Sequence, residues 1–175
     1  MTVGDSYQLD PVDWITAGAV GEPGRRTFYI QARRGSDLVA LVVEKAQVSA
    51  LANLAQELLA RLGVEVKPDD LDETRMRLLE PVMPMWRAGS MSLGMDTDGL
   101  RFLLEAEELA EEGAEEGAGV ARFWLTRDQL VALAAYAAFT VEAGARERCH
   151  LCGRPIDPVD GHVCPAANGH GRLTV

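Results

Sequence analysis

The alternation of apolar and polar positions along the chain predicts short β-strands. Residues 27–31 and 38–43 alternate in this way and are rich in β-branched and aromatic side chains. Residues 34–37 lie between them and include the glycine and aspartate that are typical of a turn. A second hairpin is predicted where residues 96–99 join residues 88–95 to residues 100–105, because Asp-Gly suits turn positions with positive φ.

Two longer segments have the period of amphipathic helices. In the first, apolar residues recur three or four positions apart and form one stripe, which ends at Gly63: Val48, Leu51, Leu54, Ala55, Leu58 and Leu62. The second begins with a capping box, in which the Thr126 hydroxyl accepts from a backbone amide of the first turn and the Gln129 side chain accepts from the backbone N–H of Thr126. Its many alanines predict close packing against a sheet or the other helix. We interpret both apolar faces as parts of the core.

The predicted elements repeat along the chain. Residues 14–63 and 86–144 each contain an Ala-Gly strand, a strand with a phenylalanine, a third strand and a long helix. The best local match aligns Gln47 with Gln129, which predicts an internal duplication, although convergent patterning would give a similar result. The predicted fold is α+β: a mainly antiparallel sheet from two β-β-β-α halves in a domain over residues 1–145, with the helices on one face.

Two segments break the pattern. Residues 64–85 contain three prolines and several acidic residues, and we expect a linker with a helical turn near residues 71–79. Residues 107–119 are acidic, rich in glycine and alanine, and without periodicity. They lack the ligand spacing of a calcium loop, so we expect a solvated loop.

Composition and charge exclude several classes of protein. The chain of 175 residues is 47% hydrophobic and 25% charged, which is ordinary for a globular protein. No signal peptide is recognised at its start, and it has no apolar run of roughly 18 residues that could span a bilayer. We therefore expect a cytoplasmic protein that does not enter a membrane. The net charge of −10 makes binding to nucleic acid unlikely, since an acidic surface repels phosphates.

The last residues hold the sharpest chemical signal. All three cysteines lie there in a C-x2-C-x9-H-x-C pattern, two close ligand pairs separated by a loop. This spacing suits a tetrahedral Zn²⁺, which prefers thiolate and imidazole ligands. We predict a zinc-binding module, a zinc knuckle, over residues 146–175 with these ligands: Cys149, Cys152, His162 and Cys164. Four protein ligands leave no position for water, so the predicted role of the zinc is structural.

Other assignments of this tail stay open at this point. His170 could replace His162 as a ligand, whereas His150 is expected to point outward. The alternatives to a metal are three reduced thiols, or one disulfide with an odd cysteine. A disulfide is disfavoured because nothing marks the chain as secreted. The three histidines all lie in this tail, so the main domain has none for acid–base catalysis.

A basic concentration stands out against the acidic background. A Gly- and Pro-containing loop carries two arginines and two more follow shortly afterwards: Arg25, Arg26, Arg33 and Arg34. Arginine grips phosphate and carboxylate groups, so the set predicts a site for an anion or an acidic partner. The loop matches no phosphate-binding motif, and a hairpin loop with solvated arginines is the simpler interpretation.

Several segments together resemble the DUF3090 family, a group of actinobacterial proteins of unassigned function. They are WITAGAVGEPGRRTFYIQAR, LVALVVEKAQVSALA, RAGSMSLGMD, RFWLTRDQLVALA and CGRPIDPVDGHVCPAANGH. The resemblance implies a cytoplasmic protein with a Cys/His tail and no established enzymatic activity. His150 and Ala166 depart from the family, which has proline and often arginine at these positions. The first departure leaves the ligands intact, and the second removes a basic residue.

Two functions follow from these observations. The first is a non-enzymatic binding or adaptor protein that holds an unidentified protein partner. The second is an enzyme or small-molecule-binding protein, with an anion pocket between the halves that draws on Arg25, Arg26 and Glu44. A deep cleft with convergent polar groups would favour the second, and an exposed apolar patch would favour the first.

Overall fold

The structure, a computed structural model, describes residues 5–110, 118–143, 149–152, 156 and 162–165. Within these residues the chain forms seven β-strands, two α-helices and one 3₁₀ turn. In chain order they are β1 (Tyr7–Leu9), β2 (Trp14–Val20), β3 (Thr27–Arg34), β4 (Asp37–Val43), α1 (Lys45–Arg61), the 3₁₀ turn (Pro68–Asp70), β5 (Trp86–Met95), β6 (Arg101–Glu108), β7 (Val120–Thr126) and α2 (Arg127–Ala143).

The strands form one mixed sheet in the order β1-β7-β6-β5-β4-β3-β2. Neighbours within each half are antiparallel, whereas β4 pairs with β5 and β1 pairs with β7 in parallel. The α+β class and the β-β-β-α order of both halves are therefore confirmed. Because two of the six pairings are parallel, the sheet is mixed. The common origin of the halves stays a prediction.

The N-terminal segment joins the two ends of this sheet. The Val12 N–H donates to the Trp124 carbonyl of β7 (3.0 Å), and the next residue, Asp13, donates to the Arg33 carbonyl of β3 (2.8 Å). A flat seven-stranded sheet would hold its edges about 29 Å apart, at roughly 4.8 Å per strand. The five steps from Leu9 to Trp14 span at most about 18 Å. The sheet must therefore curl until its ends meet.

The core lies between the concave face of the curled sheet and the helices. Alternate residues of the strands point into it, as the period of two requires. The buried residues of both helices belong to the same cluster as the strands' inward side chains, which include Ile30, Leu41, Phe102, Leu104 and Phe123. No helix among the described residues has the length and apolarity needed to cross a membrane.

Residues 72–85, which we call the strap, cross the outer face of β2, β3 and β4. The Trp14 indole N–H donates to the Arg75 carbonyl (2.7 Å), and the Thr16 hydroxyl donates to the Met76 carbonyl. The Gln31 amide bonds both backbone groups of Leu79, at 3.1 and 2.8 Å. The segment expected to be a linker is therefore bound to the sheet. The helical turn predicted near residues 71–79 is present, since the Met76 N–H donates to the Asp72 carbonyl (3.1 Å), and a separate 3₁₀ turn precedes it at Pro68–Asp70.

Two predicted boundaries fall partly outside the described residues. Residues 144–148, which separate the predicted domain from its zinc module, are not described, so this division stays a prediction. Residues 111–117, which are most of the acidic loop, are not described either, so the expectation of a solvated loop stays a prediction. Its first residues continue β6 as far as Glu108, whose carboxylate accepts from the Gly119 N–H (3.0 Å).

Candidate metal centre

Three cysteines and one histidine converge beyond the end of α2. One ligand atom from each of four residues lies within 4.8 Å of every other: Cys149, Cys152, His162 and Cys164. They come from two short segments, 149–152 and 162–165, and each segment supplies one ligand pair. The sequence reasoning named the same four residues. The structure shows that they form a cluster that could hold a metal ion.

The separations within the cluster can be compared with those around a metal. The Sγ atoms of Cys149 and Cys164 are 3.6 Å apart. A tetrahedral zinc with Zn–S bonds of about 2.3 Å holds two sulfurs about 3.8 Å apart, so this pair needs little adjustment. The Sγ of Cys152 lies 2.9 Å from Nε2 of His162, which is a hydrogen-bond distance. A metal between these two atoms would replace that hydrogen bond with two coordinate bonds.

The local backbone favours a thiolate at Cys149. Its side chain is buried, and backbone N–H groups of Cys152 and Leu151 donate to the sulfur. These hydrogen bonds lower the pKa of Cys149 from an ordinary 9.0 to about 7, although burial acts in the opposite direction. A metal-binding cysteine must be deprotonated, so this arrangement prepares one ligand before any ion arrives.

The other residues of the tail fit the predicted arrangement in part. The three cysteines are not joined by a disulfide. His150 is exposed and is not part of the ligand cluster. His170, the alternative ligand, lies outside the described residues, so its role stays a prediction.

Two apolar side chains beside the ligands were missed by the sequence reasoning. Leu151 is 53% exposed and Val163 is 94% exposed. Each lies next to a ligand, Leu151 before Cys152 and Val163 between His162 and Cys164. The ligand spacing alone could have indicated their exposure. When two ligands are close in sequence, the side chains between them point away from the metal and toward solvent.

The four predicted arginines do not form one patch. Arg25 and Arg26 lie before the start of β3, and Arg33 and Arg34 form its end. Eight strand residues span about 25 Å, so the two pairs are at opposite ends of the strand. The expectation of one local patch is corrected, because an extended strand separates residues that are close in sequence. All four side chains are exposed except Arg26, which is half-buried and donates from Nε to the Gly21 carbonyl (3.1 Å).

The remaining member of the predicted anion pocket is engaged elsewhere. The Glu44 carboxylate forms an ion pair with Arg87 of β5, and Glu44 is also the N-cap of α1. Three cavities of about 110, 290 and 350 Å³ border the helices, and none is lined by Glu44 or by the four arginines. Binding of an anion by either arginine pair stays a prediction.

Comparison with known proteins places the chain in one family. It matches the family described as "Protein of unknown function (DUF3090)" over residues 7–164, a span that ends at the last ligand of the cluster. No curated protein and no solved structure matches the chain. Since the match covers most of its length, the chain belongs to the DUF3090 family.

Proposed function

We propose that this protein is a cytoplasmic zinc protein that binds a protein partner and has no catalytic activity of its own. In this proposal Zn²⁺ is bound by Cys149, Cys152, His162 and Cys164, and its role is structural. The observation that carries the proposal is the convergence of these four ligand atoms within 4.8 Å. A set of four protein ligands satisfies the preferred coordination number of zinc and leaves no position for a substrate or water.

The chemistry of the ligands supports zinc over other common ions. Thiolate and imidazole ligands suit zinc and other soft or borderline metals, whereas Ca²⁺ and Mg²⁺ prefer oxygen. Three cysteines that lie close together without a disulfide also fit a reducing compartment, which supports a cytoplasmic location. In such a compartment a metal is the usual means of joining two short segments that lack a core of their own.

The exposed apolar residues of the module support binding of a partner. Leu151 and Val163 lie next to ligands, so a bound zinc would fix the backbone that carries them. An apolar side chain that is held on a rigid surface makes a favourable contact when a partner removes it from water. We propose that these two side chains are part of the contact with the partner.

Affinity capture with matched variants tests this proposal. Leu151→Ser combined with Val163→Ser should abolish capture of the partner and leave the zinc content unchanged. Leu100→Ser is a suitable control, since Leu100 is 62% exposed in the β5–β6 turn, far from the cluster in sequence. Equal capture by the double variant and the control would exclude these side chains from the contact. A pure, folded and metal-free wild-type protein would exclude the zinc assignment.

A further inference from the structure

The three sulfur atoms of the cluster are not equivalent. Cys149 and Cys164 have their Sγ atoms 3.6 Å apart, while Cys152 lies at 2.9 Å from the His162 ring. Cys149 is 8% exposed, whereas Cys164 is partly exposed and follows Val163, which is 94% exposed. Cys152 and Cys164 are both partly exposed and therefore open to a small solute, and the Sγ atom of Cys164 lies 3.6 Å from that of the buried Cys149.

We propose that Cys149 and Cys164 are the site of a reversible oxidation by hydroperoxides, which replaces the bound metal with a disulfide. This inference rests on the proposed function, because the bound zinc is one of its two states. The disulfide would join the same two segments, 149–152 and 162–165, that the metal joins. Oxidation would therefore release the metal and still keep the two segments joined. Removal of the metal by a chelator would leave them without a link.

The chemical steps follow from the exposure of the two sulfurs. The Cys164 thiolate attacks one peroxide oxygen, the O–O bond breaks, and the leaving oxygen takes a proton from solvent. The product is a sulfenic acid at Cys164. The Cys149 thiolate then attacks this sulfur, an S–S bond forms, the S–O bond breaks, and hydroxide leaves and is protonated. In total, two thiolates, one hydrogen peroxide and two protons give one disulfide and two waters.

The loss of the metal follows from the number of ligands that remain. A disulfide sulfur is no longer a thiolate, so Cys149 and Cys164 would no longer bind zinc. Cys152 and His162 would remain as one cysteine and one histidine, half of the original set. Because four ligands form a structural zinc site, a pair cannot hold the ion against dilution. Reduction of the disulfide would restore all four ligands.

The competing product is a disulfide within the C-x2-C pair, Cys149 with Cys152. The two products are distinguished by where they place the cross-link. The Cys149–Cys164 disulfide closes a loop that contains His162, whereas the Cys149–Cys152 disulfide leaves segment 162–165 untied. The Cys149 sulfur contacts both other sulfurs, and of these two products only the Cys149–Cys164 disulfide, across a separation of 3.6 Å, joins the two segments.

The experiment treats the full zinc-loaded chain with hydrogen peroxide. Released zinc is measured with a chromogenic chelator, and disulfides are mapped by mass spectrometry after digestion without reductant. We expect loss of the one bound zinc in step with formation of the Cys149–Cys164 disulfide, and recovery of zinc binding after thiol reduction. Retention of zinc while free thiols in the same solution are oxidised would overturn the proposal, as would a disulfide at Cys149–Cys152 or between chains.

Two comparisons separate this proposal from the assignment of zinc. If the purified protein contains no metal, the proposed function fails, and peroxide treatment of the metal-free chain still reveals which cysteines pair.

The second comparison is limited proteolysis of oxidised and chelator-treated protein. Oxidised protein should be cleaved within residues 149–165 at least several-fold more slowly than chelated protein, because only the former keeps its cross-link. Equal cleavage rates would contradict the exchange of metal for disulfide.

Discussion

Gln47 and Gln129 make corresponding hydrogen bonds in the two halves of the fold. Each amide oxygen accepts from the backbone N–H at the start of its own helix, Glu44 for Gln47 (2.7 Å) and Thr126 for Gln129 (2.9 Å). Each amide nitrogen donates to a backbone carbonyl outside its own half. Gln47 reaches the carbonyls of Ala88 and Gly89 (both 3.3 Å), and Gln129 reaches the carbonyl of Val12 (2.9 Å). Gln47 thus joins α1 to the other half, and Gln129 joins α2 to the N-terminal segment that precedes β2.

Replacement of either glutamine should therefore weaken both a helix cap and a hydrogen bond to a distant segment of the chain. We expect Gln47→Ala and Gln129→Ala each to lower the free energy of unfolding by about 1–2 kcal/mol, since a helix cap and a hydrogen bond are each worth about 1 kcal/mol. Gln→Glu keeps the acceptor and loses the donor, so it should lower the stability by a similar amount. Urea denaturation measures these values, and wild-type stability in both Gln→Glu variants would show that the hydrogen bonds donated by the two amide nitrogens contribute nothing.

The sequence predicted this part of the fold because the signals are local. The alignment of Gln47 with Gln129 and the capping box at Thr126 need only a few neighbouring residues, and both appear in the structure. The four residues of the Cys/His cluster were also predictable, because their spacing is short and the chain contains no other cysteine.

The features that were missed depend on contacts between distant parts of the chain. β1 has three residues, and within the part of the chain that the structure describes it pairs with β7, more than 100 positions away, so no local pattern marks it as a strand. The strap is held by Trp14, Thr16 and Gln31, which lie about 50 to 60 positions before their partners. Thr16 and Gln31 are polar residues that are completely buried. Their burial became interpretable only when the strap supplied their hydrogen-bond partners.

The strap should be sensitive to added volume at Gly18. A Cβ atom at this position would lie 2.6 Å from Cγ and 2.9 Å from Cδ1 of Leu78. Either the backbone at position 18 or the Leu78 side chain must therefore move. We expect Gly18→Ala to lower the free energy of unfolding by about 1–2 kcal/mol through this overpacking. Leu78→Ala in the same chain should relieve the contact, so the double variant should be more stable than the sum of the single effects predicts. Strict additivity in a denaturation cycle would place Leu78 away from Gly18.

The turn between β5 and β6 should contribute a pH-dependent part of the stability. The N–H groups of Arg101 and Leu100 donate to the Asp96 carboxylate, and they lower its pKa below the ordinary 3.8. A carboxyl group whose pKa is lower in the folded state stabilises the fold above its unfolded pKa. It loses this contribution as the pH falls through the folded pKa. The stability difference between wild type and Asp96→Asn should therefore shrink as the pH falls below 3.8.

Thermal unfolding of the two proteins between pH 6 and pH 3 measures this difference. Asp98→Asn in the same turn is the matched control, because no hydrogen bond to its carboxylate is found among the described residues. Its effect on the melting temperature should not depend on pH in the same way. A difference between wild type and Asp96→Asn that stays constant down to pH 3 would contradict the assignment.

The two arginine pairs should act independently of each other. Arg25→Ala with Arg26→Ala should lower the free energy of unfolding by about 1 kcal/mol or less, because Arg25 is exposed and the half-buried Arg26 contributes a hydrogen bond to the Gly21 carbonyl. If the pairs bind an acidic partner, they do so at opposite ends of β3, and their effects on partner capture should add. A loss of capture with one pair and no loss with the other would assign the contact to one end of the strand. A large loss of stability would mean that these side chains are paired within the fold.

The cluster should bind one zinc per chain, and this can be tested one ligand at a time. We expect protein that is purified without added metal to contain zinc near a 1:1 ratio by elemental analysis, because the four ligand atoms converge on one point. Cys152→Ser should lose the metal on dialysis. His150→Ala is the control within the same segment, since His150 is exposed and outside the cluster, and it should keep its zinc. His170→Ala should also keep its zinc, and loss of zinc in that variant would transfer the fourth ligand from His162 to His170.

Hydrogen exchange after chelation should rise in segments 149–152 and 162–165 and stay unchanged in α1 and α2, because the binding energy of a structural zinc stabilises the segments that it joins.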